Sequence, residues 1–214
     1  MKKIILYGAS DYGCEVADHI NDINDINKSP EWEIAGFLDD NPIWENKIRN
    51  DIPVLGNKSW LENKDLTPYY FICCIGNPKI KSKIISHLAL YKVKYASIIH
   101  PSVIKSTKSE IGEGCIIMAG NIISTSAKIN DHVIINIGCT IGHNTTIDKY
   151  SCINPGANIS GNVIIDSGVL VGTNATILEN KKIGINAVVS ASAMVYTDVP
   201  AEMTVMGVPA RIIK

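Results

Sequence analysis

The sequence predicts an α/β + β protein: a small N-terminal Rossmann-like parallel α/β domain over residues 1–97, then a parallel β-helix with a C-terminal capping tail over residues 98–214. Three observations predict it. Moving six residues at a time from Ile99 to Val195 meets a branched aliphatic at sixteen of seventeen positions, with Lys105 the exception. Two residues before most of these stands a small side chain, as at Ser109, Cys115, Ala127, Cys139, Ala157 and Ala175. Ahead of this run, an apolar stretch, a Gly-containing turn and an amphipathic segment open the chain.

A period of six is neither helical nor strand alternation; it is the hexapeptide signature of a parallel β-helix. Each unit supplies one short strand and one turn, and three units close a triangular coil. The branched aliphatic points inward and stacks on its equivalents one coil away. The small residue sits at the tight corner. Pairs such as Asn130-Asp131, Asp148-Lys149 and Ser160-Gly161 suit corners, because Gly and Asn tolerate left-handed backbone angles. About one hundred residues at eighteen per coil give five to six coils, roughly 27 Å tall at ~4.8 Å per layer. Both ends would expose strand edges. The α/β domain is expected to cover the first coil, and the tail from Thr197 to Lys214 the last.

The N-terminal elements follow in order. Lys2 to Tyr7 reads as a strand, Gly8 to Gly13 as a turn, and about Cys14 to Asn24 as a helix with Val16, Ala17, Ile20 and Ile23 on one face. Such a turn can cradle an anion. It has Ser10 where a dinucleotide-binding pattern has its middle glycine, so a sugar or nucleotide-sugar ligand is preferred over an NAD-type pyrophosphate or an empty turn. Glu33 to Leu38 is a second strand ending in Asp39-Asp40, at the edge where parallel sheets bind ligands. Ile52 to Gly56 is a short strand. Tyr69 to Ile75 is a third main strand, followed by Gly76-Asn77 and a helix from about Lys79 to Tyr91.

Composition narrows the function classes. The net charge of −1 provides no basic field for nucleic acid. No apolar run spans a membrane, and the start has no signal-peptide pattern, so a cytoplasmic protein with no membrane insertion is expected. The six cysteines follow no disulfide or zinc spacing, Cys73-Cys74 read as buried thiols, and a reducing compartment fits.

The chemistry points to Asn136 through Asn144. His143 lies two positions after inward Ile141, at a corner where packing does not require it. Histidine accepts a proton near neutral pH and can act as a general base. Here the whole chain resembles the sialic acid O-acetyltransferase family of sugar acyltransferases, which includes bacterial nucleotide-4-amino-sugar N-acetyltransferases. The residues that carry the resemblance are Gly8 to Ala17, Gly36 to Asp40, Pro53 to Gly56, Ile75 to Asn77, Ile141 to Asn144, Ile153 to Asn162 and Gly207 to Ala210.

The resemblance implies a homotrimer of left-handed β-helices with active sites between subunits. It implies an acetyl-CoA-dependent sugar acetyltransferase with no metal, N-acetylating a nucleotide-linked 4-amino-deoxy sugar for surface glycan synthesis. His143 matches the catalytic base, with Asn144 beside it, and Asn136 matches a sugar-contacting asparagine. Nucleotide-sugar contacts match Ser10, Asp11, Tyr12, Asp39, Asp40, Gly76 and Asn77. Acetyl-CoA positions correspond to Cys152, Gly161, Thr173 and Ala191, and Arg211 is added from its charge alone.

Three departures bear on the acceptor. Some N-acetyltransferases of the family have histidine at Tyr12, glutamate at Asn144 and a second histidine at Cys152. A carboxylate beside the base would raise its basicity, and an amide does not. O-acetylation of sialic acid or another sugar hydroxyl is therefore the alternative activity, and a non-catalytic nucleotide-sugar-binding protein is a further one. A zinc hydratase on this fold needs convergent histidines, and His100, His132 and His143 lack that spacing.

Overall fold

The computed structural model describes residues 1–26 and 30–213; Lys214 of the expected tail lies outside them. The first part is a six-stranded sheet in the order β3-β4-β2-β1-β5-β6, built from β1 (Lys2–Tyr7), β2 (Trp32–Leu38), β3 (Ile48–Arg49), β4 (Ile52–Gly56), β5 (Tyr69–Cys73) and β6 (Lys94–Tyr95). All its pairings are parallel except β3 with β4. Helix α1 (Asp11–Ile26) buries Val16, Ala17, Ile20 and Ile23, as the sequence pattern requires.

That helix starts three residues earlier than the sequence suggested, at Asp11 rather than Cys14, and ends at Ile26 rather than Asn24. Gly13 therefore lies inside its first turn. A Cβ there would stand 2.0 Å from the Gly8 carbonyl oxygen, so the helix presses onto the turn only because residue 13 is glycine. Helix α2 (Pro78–Ala89) is capped by Asn77, whose side-chain oxygen accepts the Ile80 N–H at 3.1 Å.

From Ile98 the chain winds into stacked coils of two-residue strands, each paired in parallel with the strand eighteen residues on. Three faces result. Face one runs from Ile98–Ile99 to Val188–Val189, face two from Ile104–Lys105 to Met194–Val195, and face three from Glu110–Ile111 to Lys182–Ile183. The inward residues Ile117, Ile135, Ile153, Val171 and Val189 are at most 1% exposed and form one continuous core. The small residues two places before them are buried too. The polar ones among them are satisfied: Thr145 Oγ1 donates to Ser160 O at 2.9 Å and Ser151 Oγ to Asp166 O at 3.0 Å.

Every sixth residue from Gly114 to Ser192 takes a positive φ, one at each corner. The structure corrects which residues do so. The pairs Asn130-Asp131, Asp148-Lys149 and Ser160-Gly161 lie at corners, but the left-handed residues are His132, Tyr150 and Asn162 just after them. For His132 and Tyr150 the strain is offset by packing: their rings stack 5.7 Å apart, and Tyr95 of β6 meets His132 edge-on at 4.6 Å.

The α/β domain does not sit on the end of the coil as expected; it lies along a side. The outward residues of face one, Ile98, Ile116, Ile134 and Cys152, join Val16, Ile20, Phe37 and Ile72 in a second core. Apolar residues in that column leave a flat greasy face that only another layer can cover. The lower end is closed instead by Lys105, whose ammonium donates to Ser106 O and Ser109 O. The upper end is covered by the tail as expected. Thr204–Met206 pairs with Val188–Val189, and Val199, Val205 and Ala210 enter the core.

Candidate active site

At the carboxyl edge of the α/β sheet, β1 leads onward to β2 on one side and β5 leads to β6 on the other. The crevice between β1 and β5 is thus a topological switch point, the usual ligand position in such sheets. The Gly8 turn and the Gly76-Asn77 turn flank it. A Cβ on Gly8 would lie 2.8 Å from Cys74 O, whereas one on Gly76 would meet nothing within 4 Å, so the space above Gly76 is open.

The two carboxylates beside this crevice already hold the turns in place. Asp39 accepts the Ala9 N–H at 2.8 Å and the Asn41 N–H at 2.8 Å. Asp40 accepts the Tyr7 hydroxyl at 2.9 Å and the Lys58 N–H at 3.0 Å. Both still line a cleft of about 350 Å³ with Gly56, Asn57, Ser59 and Trp60. Asp11 is exposed and paired with Arg49 at 2.6 Å, and Arg49 also donates to Ala9 O while stacking on Trp44. The clamp made by Arg49 was not read from the sequence, since it joins residues forty apart.

Tyr12 points the other way, into the seam between the domains. Its hydroxyl is buried without a hydrogen-bond partner, and burial, then the adjacent Cys152 thiol, push its pKa well up. Cys152 is 1% exposed on face one. Burial raises its thiol pKa while the nearby Lys81 ammonium pulls it down, so the group is held as a thiol, a poor nucleophile. Lys81 is fully buried, with its ammonium 3.3 Å from Ser151 O. Burial lowers its pKa, and the thiols of Cys152, Cys73 and Cys115 oppose that shift. Two of the three departures from the family pattern, at positions 12 and 152, are thus neighbours in space.

His143 stands exposed at the corner between faces two and three, directly after Thr140–Ile141. Gly161, one coil above, lies against its ring: a Cβ there would come within 2.5 Å of Cε1 and Nε2. His143 Nδ1 lies 3.2 Å from the Asn144 side-chain amide, which is tied at 3.0 Å to Asn162 of the next coil. Asn136 occupies a different corner of the same coil, between faces one and two, where it follows Ile134–Ile135 at the rim of the interdomain seam. Within one chain face two separates it from His143.

Thr173 and Ala191 are exposed, two and three coils above Ile137 in the Asn136 corner. Arg211 lies at the top of the His143 corner, where it donates to the Tyr196 hydroxyl at 2.5 Å and covers that ring. Tyr196 stands three coils above Gly142, a rise of about 14 Å.

Comparison with known proteins adds a family, a curated relative and three solved structures. The family described as the PglD N-terminal domain matches residues 3–88. The chain is 33% identical over 128 residues to UDP-N-acetylbacillosamine N-acetyltransferase of Bacillus subtilis (strain 168), covering 56% of this chain and 52% of that protein. The chain thus spans about half the length of this curated relative. Its structure superposes over the full length of both chains on the acetyltransferase domain of PglB from Neisseria gonorrhoeae FA1090, with TM-score 0.90 and 29% identity. The same domain has been solved in complex with acetyl coenzyme A, with 99% coverage of both chains and 28% identity. WeeI from Acinetobacter baumannii AYE is similar at TM-score 0.87 and 28% identity, over 98% of this chain and 99% of that one.

Proposed function

The chain belongs to the hexapeptide-repeat sugar acetyltransferases, and from that premise we propose that it transfers the acetyl group of acetyl-CoA to the amino group of a nucleotide-linked 4-amino-deoxy sugar. One observation carries the reading: an exposed imidazole at a coil corner, seated on Gly161 and oriented by Asn144, where packing has no use for it. His143 takes the proton from the acceptor nitrogen as that nitrogen attacks the thioester carbonyl, and the CoA thiolate leaves. No covalent enzyme intermediate is needed. For Nε2 to act as the base, Nδ1 must hold the proton. The Asn144 amide then turns its oxygen to Nδ1, and Asn162 turns in concert to keep the second hydrogen bond.

The nucleotide-sugar lies at the carboxyl edge of the α/β sheet, against Ser10, Asp11, Asp39, Asp40, Gly76 and Asn77, with Asn136 holding the sugar; Tyr12, turned into the seam, does not reach it as the family match implied. The acetyl-CoA arm runs between adjacent subunits, past Gly161 toward Arg211 on the His143 corner of one and past Thr173 and Ala191 on the Asn136 corner of the next; Cys152, buried under the α/β domain, does not reach it as the family match implied. Asn136 and His143 occupy different corners, so one chain cannot present both to one substrate. A threefold ring of three chains brings the Asn136 corner of one subunit to the His143 corner of the next, and such a ring closes on itself. Six free thiols fit a reducing cytoplasm, and no helix among the described residues is long and apolar enough to cross a membrane.

The test is thiol release from acetyl-CoA in the presence of a panel of nucleotide amino-sugars. His143→Ala is expected to lower turnover by about two orders of magnitude or more, the usual scale for a general base; near-wild-type turnover would remove His143 from the role. O-acetylation is the second reading. The amide at Asn144 favours it, since no carboxylate raises the basicity of the imidazole there. Thiol release with neutral sugar hydroxyls, and none with amines, would select it.

A further inference from the structure

Outside the proposed site, one cluster of side chains has the composition of a metal centre. His19 and Asp22 lie one turn apart on α1, and His100 begins the first corner of the coil, 78 residues beyond Asp22. We propose that His19, Asp22 and His100 bind one divalent transition-metal ion of the zinc type, which pins the α/β domain to the first coil.

The geometry supports it. His100 Nε2 is 3.3 Å and His19 Nδ1 is 3.9 Å from the same carboxylate oxygen, Asp22 Oδ2. The three candidate ligand atoms all lie within 4.8 Å of one another. Tetrahedral ligands at zinc bond lengths stand about 3.3 Å apart, so small side-chain rotations suffice to close the set. The two imidazoles meet edge-on, with centroids 5.0 Å apart, so their nitrogens converge and their faces do not stack.

The His19 Nδ1 atom is the second, independent sign. It is buried and has no hydrogen-bond partner, and its side chain is only 11% exposed. A hydrogen bond from His100 to Asp22 accounts for His100 alone. It leaves the His19 nitrogen bare, at a cost of about 1–3 kcal/mol for an unsatisfied buried group. A metal bond removes that cost. The other side of His100 is prepared as well. Its Nδ1 is 2.8 Å from Ser102 Oγ, which accepts the Gly120 N–H at 2.9 Å. The Ser102 N–H also donates to this Nδ1 at 3.1 Å, so Ser102 holds the ring in place with Nε2 facing Asp22, and an ion at Nε2 would displace the proton shared with that carboxylate.

The donor set selects the ion. Two imidazoles and one carboxylate suit zinc, cobalt or nickel, whereas magnesium and calcium take oxygen ligands. One carboxylate offsets half of the cation's charge, and Asp22, at 54% side-chain exposure, leaves the fourth position open to water. The ion has no part in the acetyl transfer described above. Ligands 78 residues apart also have no spacing signature, so the sequence expectation of no metal could not detect this set.

Full-length protein stripped with a chelator and titrated with zinc chloride by calorimetry tests the proposal, after alkylation of accessible thiols. One equivalent per chain is expected, with a rise in the unfolding temperature of about 5 °C at saturation. His100→Ala and, separately, Asp22→Asn should each weaken binding at least tenfold. Asp22 is exposed, so its variant folds even if the seam residue does not tolerate change. Cobalt in place of zinc should give tetrahedral absorption bands that both variants lose. Absence of stoichiometric binding, or binding undiminished in both variants, overturns the proposal.

Discussion

Position 144 shows how one side chain sets the chemistry of another. Asn144 stands in the left-handed region at φ 56°, a conformation that asparagine and aspartate accept more readily than other side chains, and it touches the ring beside it. A carboxylate in its place would favour the imidazolium. Asn144→Asp is therefore expected to move the acidic limb of the pH–rate profile upward by about one unit, with little change in fold. An unchanged limb would mean that the limb does not report His143. The glycine above is bound to the same residue by space alone, because any Cβ at 161 collides with the imidazole.

At the scale of the element, the corner is the unit that repeats, and its left-handed residue is its weak point. His132 fills one such corner with a ring that is 6% exposed. Burial lowers its pKa to about 4, with Asp131 opposing and Lys81 and Lys149 assisting. The unfolded value is about 6.5. The folded state thus binds fewer protons, its stability is fully present above pH 6.5, and it is lost as pH falls through about 4 at up to ~1.4 kcal/mol per unit. His132→Asn keeps the left-handed preference and removes the titration. Urea midpoints at pH 7 and pH 5 should show the variant losing about 1–2 kcal/mol less than the wild type over that interval. Equal losses would assign the acid sensitivity to other groups. The strands between corners are two residues long and gain nothing from length; their stability comes from stacking Ile on Ile in an unbroken column.

For the whole molecule, the question is what completes face two. Its lower outward positions, Ile104 and Ile122, are exposed, as is Ile137 beside Asn136. Apolar residues grouped near the proposed corner fit a buried subunit contact. Light scattering during size exclusion is expected to give three times the 23.2 kDa chain mass. A monomer at micromolar concentration would leave Asn136 and His143 with no way to meet, and the shared site would fail with it.

The period of six was legible because each coil unit is local: an inward aliphatic, a left-handed residue three places on, and a small buried residue after that, all within six positions. The strand–turn–helix opening was legible for the same reason. The first turn of α1 was not, because Gly13 reads as a loop residue until the Gly8 carbonyl is seen against it. Which corner residue turns left-handed was also hidden, since His132 and Tyr150 are tolerated only through Tyr95. The lateral seating of the α/β domain left a trace at period eighteen, in the apolar column Ile98, Ile116, Ile134, Cys152 and Leu170, that a six-residue count averages away. Sequence alone determined the coil, because its information repeats within a few residues. Tertiary structure alone decided the seam, the neighbourhood of Tyr12, Cys152 and Lys81, and the meeting of His19 with His100, because those contacts join residues scores apart whose identities carry no pattern until the chain has folded.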